Sequence, residues 1–150
     1  MSYGNMKSGI QQYAQVGNQS GINGASPHRL IQMLMEGALG KISIAKGHMT
    51  RNEISQKGTT ISWAISIIDG LRMSLDKEQG GDIAENLDAL YEYMTNRLVQ
   101  ANIENSVDML DEVAHLMITL KSGWDGIEKR VSDVPDAANQ RPSVVSETVK

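Results

Sequence analysis

Between Ser26 and Ile127 the apolar residues of this chain recur every three or four positions, and the spacing never shortens to two. That is the period of an α-helix with one buried face; a half-buried strand would alternate. The pattern is clearest from Ser26 to Met49, where Ile31, Met35, Ala38, Ile42, Ala45 and Met49 form one stripe, the seam of a helical bundle. Ser26 can cap the first backbone N–H groups and Pro27 fits the first helical position, so the helix start is well specified. A second stripe, Leu30, Met33, Gly37, Gly40, Ile44 and Gly47, falls about 100–160° around the same helix. It is apolar, yet hollowed by its glycines.

Three further helices follow from the same period. The second is expected from about Glu53 to Asp76, entered through the polar break Thr50-Arg51-Asn52 with Asn52 as its cap. Ile54, Gly58, Ile61, Ile65, Ile68 and Leu75 make its seam, widened by Ala64 and Leu71. Trp63, Ile67 and Gly70 make a second line, and Gly80 and Gly81 mark its end. The third opens at Asp82, whose spacing to Glu85 fits a capping box, and buries Ile83, Leu87, Leu90, Met94 and Ala101 before the polar turn at Asn102 and Asn105. The fourth runs from about Ser106 to Ile127 on Leu110, Val113, Met117, Leu120, Trp124 and Ile127.

Short connections make sequential helices antiparallel neighbours. The fold class is therefore all-α: an antiparallel up-down-up-down four-helix bundle over residues 26–131, about 30–37 Å long. Residues 1–25 hold five glycines and few apolar groups and read as a flexible N-terminal arm, on which Ile10, Tyr13 and Val16 recur every third position. Residues 132–150 are small, polar and twice broken by proline, a disordered tail.

Several function classes are excluded on chemistry. Without cysteine there is neither a disulfide framework nor a thiolate metal site. No segment approaches about 18 consecutive apolar residues, so no stable membrane insertion is expected. A net charge of −4 with scattered basic residues gives no phosphate-tracking surface, hence no nucleic acid partner. Glu112 and His115 have the spacing of carboxylate-bridged metal sites, but helical rotation turns both off the seam toward solvent, and no second such pair exists. No nucleophile elbow or phosphate loop is present. The chain is expected to be no enzyme and to hold no metal or cofactor.

Two readings stay open for the seam residues Arg72 and Arg97: apolar stems with the guanidinium reaching water, or hydrogen-bonded pairs with an acid. Off the seams, Met33, Ile44, Trp63, Ile67, Val99, Ile103 and Ile118 together suggest a partner surface. At about 1.5–3 kcal/mol each they represent about 10–20 kcal/mol of gross burial, before association and ordering costs.

Tyr13-Ala-Gln-Val in the arm, ASPHRLIQML from Ala25 to Leu34, GGDIAENLDALYEYM from Gly80 to Met94, RLVQAN from Arg97 to Asn102, and Trp124 resemble the flagellar secretion chaperones of the FliS type. The likeness spans about residues 10 to 127, with the element order intact. It implies a cytoplasmic bundle that binds the disordered C-terminal segment of flagellin, prevents premature filament assembly and delivers the subunit to a flagellar export-gate protein. The client segment would wrap the bundle and bury apolar side chains in surface grooves. On this reading the client groove is lined by Leu30, Met33, Gly37, Gly40, Ile44, Trp63, Ile67, Ile103 and Ile118, while Ile10 and Tyr13 dock on the gate or cover the groove. The alternative reading is a homo-oligomeric bundle of structural or regulatory role, a weak homodimer through the same surface.

Overall fold

The computed structural model describes residues 24–132, with side chains as far as Ile127. Four helices follow in order: α1 (Pro27–Thr50), α2 (Ile54–Met73), α3 (Lys77–Glu104) and α4 (Val107–Ser132), with no strand among the described residues. Each packs on the next and α4 closes against α1, the ring of an up-down-up-down bundle. The expected arm and tail lie outside the described residues, apart from Gly24, Ala25 and Ser132.

The helix ends follow local chemistry. Ser26 Oγ accepts from Arg29 N at 3.0 Å with Pro27 in the first turn, as the sequence predicts. Ser106 likewise accepts from Met109 N at 3.1 Å. Asn105 closes α3 in the left-handed region at φ 55°. The predicted start of α2 is displaced: Asn52 is left-handed at φ 64°, which its short polar side chain tolerates, so Glu53 takes the cap position. The Glu53 carboxylate accepts instead from His48 Nδ1 at 2.6 Å and Arg51 Nε at 3.1 Å. The α2–α3 boundary also differs. α2 stops at Met73, and Asp76 caps α3 nearly two turns before the expected Asp82 by accepting from Gln79 N at 3.0 Å. Gly81, at φ 53° and ψ −129°, then breaks α3, a backbone conformation that only glycine adopts cheaply. The spacing of Asp82 and Glu85 thus marks where the helix resumes, not where it begins.

Met35, Ile61, Ile68, Leu71, Met94, Leu98, Leu110, Val113 and Met117 are fully buried and make the centre of the core. The α1 and α4 seams fall where the period puts them, but α3 is turned. Tyr91 and Leu98 join its buried face, and Arg97 moves to the edge. There Arg97 Nε donates to Glu112 Oε1 at 3.0 Å. Arg72 Nε donates to Asp88 Oδ1 at 2.6 Å, so both seam arginines are paired with acids rather than only snorkelling. At the ends of the seams Ile54, Ile83 and Ile127 are exposed.

Candidate functional site

The start of α1, the end of α2, the start of α3 and the latter half of α4 meet at one end of the bundle. They enclose an apolar cavity of about 590 Å³ between Leu30, Ile31, Leu71, Leu75, Leu87, Tyr91, Leu120 and Trp124. That size falls within the roughly 300–1,000 Å³ of ligand clefts. The kink at Gly81 lies between two lining residues, Gly80 and Ile83, and Ile83 is 71% exposed. His28 and Trp124 close one side, their rings stacked at 4.6 Å. His28 Nε2 donates to the Trp124 carbonyl at 2.7 Å, and Trp124 Nε1 donates to the His28 carbonyl at 3.0 Å. Burial pushes the Tyr91 phenol up to about 12, so this side chain is neutral at neutral pH, while Ser74, Asp76 and Gln79 supply the polar part of the lining. Such a site can bury apolar side chains.

From this cavity an apolar strip runs along the outer side of α1 and α2. A Cβ built on Gly37 would lie 3.6 Å from Ile67 Cδ1, and Lys41 Nζ stands 3.5 Å above the Trp63 ring. These contacts fix the antiparallel register, which brings Ile44 opposite Thr60 and Leu30 opposite Ser74. Ile44 and Trp63 are about half exposed, at 48% and 51%, Gly40 has nothing within 4 Å of a built Cβ, and Met33 is half-buried. Leu30 carries the strip into the cavity wall.

The structure does not bring every residue assigned to the groove onto this strip. Ile67 is only 4% exposed and part of the core, covered where α1 passes at Gly37. A Cβ on Gly37 would stand in ordinary contact with Ile67, which places Gly37 at the α1–α2 interface. Ile118 is exposed on another side, within a polar ladder between α1 and α4 that contains Lys46–Asp111 at 2.9 Å and Lys121–Glu36 at 3.6 Å. Ile103, 72% exposed, sits near the end of α3, remote from the cavity. Ile10 and Tyr13 lie outside the described residues.

Glu112 faces α3 rather than only solvent, where Tyr93 and Arg97 donate to it and hold its carboxyl below the usual range. His115 is exposed, and the described residues contain no group of three metal-ligating side chains. Sequence reasoning missed the cavity, since its walls read as ordinary seam; the signal was the Gly80-Gly81 pair. It also missed Lys57, only 5% exposed, whose Nζ donates to Asn102 O at 3.1 Å and Asn105 Oδ1 at 3.0 Å at the end of α3. None of the described helices is long and apolar enough to cross a membrane.

The family described as flagellar protein FliS matches residues 9–131. Flagellar secretion chaperone FliSB of Pseudomonas aeruginosa is 52% identical over 118 residues, covering 79% of this chain and 94% of that protein. Flagellar secretion chaperone FliS of Salmonella typhimurium is 43% identical over 126 residues, 83% and 93% of the two chains. The Bacillus subtilis chaperone of the same name is 32% identical over 106 residues, 71% and 78%. The chain therefore belongs to the FliS family, among the flagellar secretion chaperones.

Proposed function

We propose that this chain is a cytoplasmic export chaperone that binds the disordered C-terminal segment of flagellin, blocks its premature polymerisation and delivers it to the flagellar type III export gate. The observation that carries this reading is the continuity of the α1–α2 strip with the end cavity, on a bundle of the flagellar secretion chaperone family. A disordered client supplies apolar side chains that have no core of their own. Their burial, at about 1.5–3 kcal/mol each, offsets an ordering cost of about 2–5 kcal/mol. Hiding the segment removes it from filament contacts, so the chaperone works by burial and not by catalysis.

Leu30, Met33, Gly40, Ile44 and Trp63 are the residues proposed to meet the client. Ile10 and Tyr13 are proposed to cover the cavity until client arrives and to dock on the gate afterwards. Their arm joins the bundle at Ser26, beside the cavity residue Pro27, and such a short tether keeps the local concentration high. Calorimetric titration with flagellin lacking its C-terminal segment tests the reading: binding should vanish, and undiminished affinity overturns it.

A further inference from the structure

The groove between α2 and α3 is used by neither the cavity nor the α1–α2 strip. Gly58, Ser62, Ile65, Asp69 and Arg72 follow 4-3-4-3 spacing and share the side of α2 that meets α3. The facing contacts fix this side: a Cβ on Gly58 would lie 3.9 Å from Asn102 Nδ2, and Arg72 bonds Asp88. One end of the groove is apolar. Ile54, Val99 and Ile103 are exposed there at 56%, 45% and 72%. At the other end three carboxylates, Asp69, Asp88 and Glu92, gather around Arg72 and Lys77, whose Nζ stands 3.4 Å from Asp88 Oδ2. Arg72 bonds Asp88 and stands 3.8 Å from Glu92, while Asp69 forms no ion pair among the described residues. Burial raises the Asp69 carboxyl above its usual range despite the nearby Arg72, so it is a half-buried acid short of a cation.

Charge over the chain is unevenly divided in the same sense. From Asp76 to Glu112 there are ten carboxylates against Lys77 and Arg97, whereas from Ser26 to Met73 there are three against six basic side chains. Facing copies would bring Asp69, Asp88 and Glu92 of each against those of the other, more carboxylates than the already paired Arg72 and Lys77 offset, which argues against a second copy of this chain as the occupant.

We propose that the α2–α3 groove is a second docking surface, which takes an amphipathic helix of a partner protein with apolar residues at one end and a lysine or arginine about 15 Å, or three turns, further on. The apolar end packs on Val99 and Ile103, and the cation settles beside Asp69 and Glu92. Because this face is separate from the α1–α2 strip, the chaperone holds this ligand and its client together.

The probe is a labelled helical peptide of about 20 residues with two leucines one turn apart and two arginines about three turns further on. A counterpart carries glutamates in place of the arginines. Fluorescence anisotropy with the full chain should give saturable binding of the arginine peptide alone. Asp69→Asn with Glu92→Gln, and separately Ile103→Ser, should each weaken it about tenfold or more. Circular dichroism checks that the variants fold, and both alter exposed or half-buried sites. Equal binding of the glutamate peptide, or unchanged affinity in the two variants, overturns the proposal. So does displacement by the flagellin C-terminal segment, which would make the groove part of the client's path. If that segment does not bind at all, the proposed client role falls, and the peptide titrations still decide this surface on their own.

Discussion

Gly40 separates folding from binding, because a side chain added there is expected to move the two in opposite directions. It lies inside α1 and is exposed, and a built Cβ meets nothing within 4 Å. Replacement by alanine removes the entropic cost of an interior helical glycine, about 1 kcal/mol, without a clash. That stabilisation corresponds to about 3 °C in Tm for a chain of this size. Replacement by leucine keeps most of the gain, since leucine is also a good helix former, but fills the floor of the strip between Met33 and Ile44. A client lying on that floor must lose contacts or shift, and a loss of about 1.4 kcal/mol is tenfold in affinity. Thermal melts by circular dichroism and calorimetric titration with the flagellin C-terminal segment measure both. The expected result is a higher Tm for both variants and binding weakened about tenfold in Gly40→Leu. Unchanged affinity in Gly40→Leu would refute the assignment of this strip to the client. A lower Tm in Gly40→Ala would show that the glycine is needed for packing.

Gly81→Ala forces a side chain into a backbone region closed to it and should cost about 1–3 kcal/mol in a urea titration. Lys57→Met removes the two hydrogen bonds that its ammonium donates to the end of α3 and leaves the part-buried Asn102 carbonyl less well satisfied, about 1–3 kcal/mol of destabilisation in the same assay. The pH dependence carries two opposite signs. Arg72 holds the Asp88 carboxyl below its usual range, so that pair stabilises the fold above the unfolded carboxylate value and is lost as pH falls through the lower folded one. Asp88→Asn should therefore lower stability at neutral pH and flatten its fall below about pH 4. Asp69 is raised by burial, so its contribution is present at low pH and lost as pH rises through its folded value. Asp69→Asn should be as stable as the parent or more so at neutral pH, and a clear loss there would refute the reading of Asp69 as an uncompensated acid.

The bundle was legible because its period is long and consistent: α1 and α4 bury the stripes that spacing assigns to them. What was lost lies where neighbouring helices decide the outcome. The buried side of α3 is turned toward Tyr91 and Leu98 while Arg97 stands at the edge paired with Glu112, a pairing between elements that no local pattern contains. Ile67 counted as surface by its angle from the α2 seam, yet α1 covers it where Gly37 passes, a contact between elements that the α2 pattern alone does not contain. The cavity was invisible for a related reason. Leu75, Leu87 and Leu120 satisfy a seam pattern whether or not the helices close over them, and the backbone kinks at Gly81 between two lining residues. Half of the candidate strip, Leu30 to Ile44, was nevertheless present in the sequence as an apolar line with glycines in it.

The two tryptophans of the chain stand on the two parts of the proposed client site, Trp63 on the strip and Trp124 in the cavity wall. The most direct measurement is the emission of Trp63 in a Trp124→Phe chain during titration with a flagellin C-terminal segment free of tryptophan. Burial of the half-exposed indole should shift its emission to the blue and protect it from a soluble quencher, saturating with the same affinity as the calorimetric curve. Calorimetric binding with the Trp63 emission and quenching unchanged would contradict the account, because the client would then lie elsewhere on the bundle.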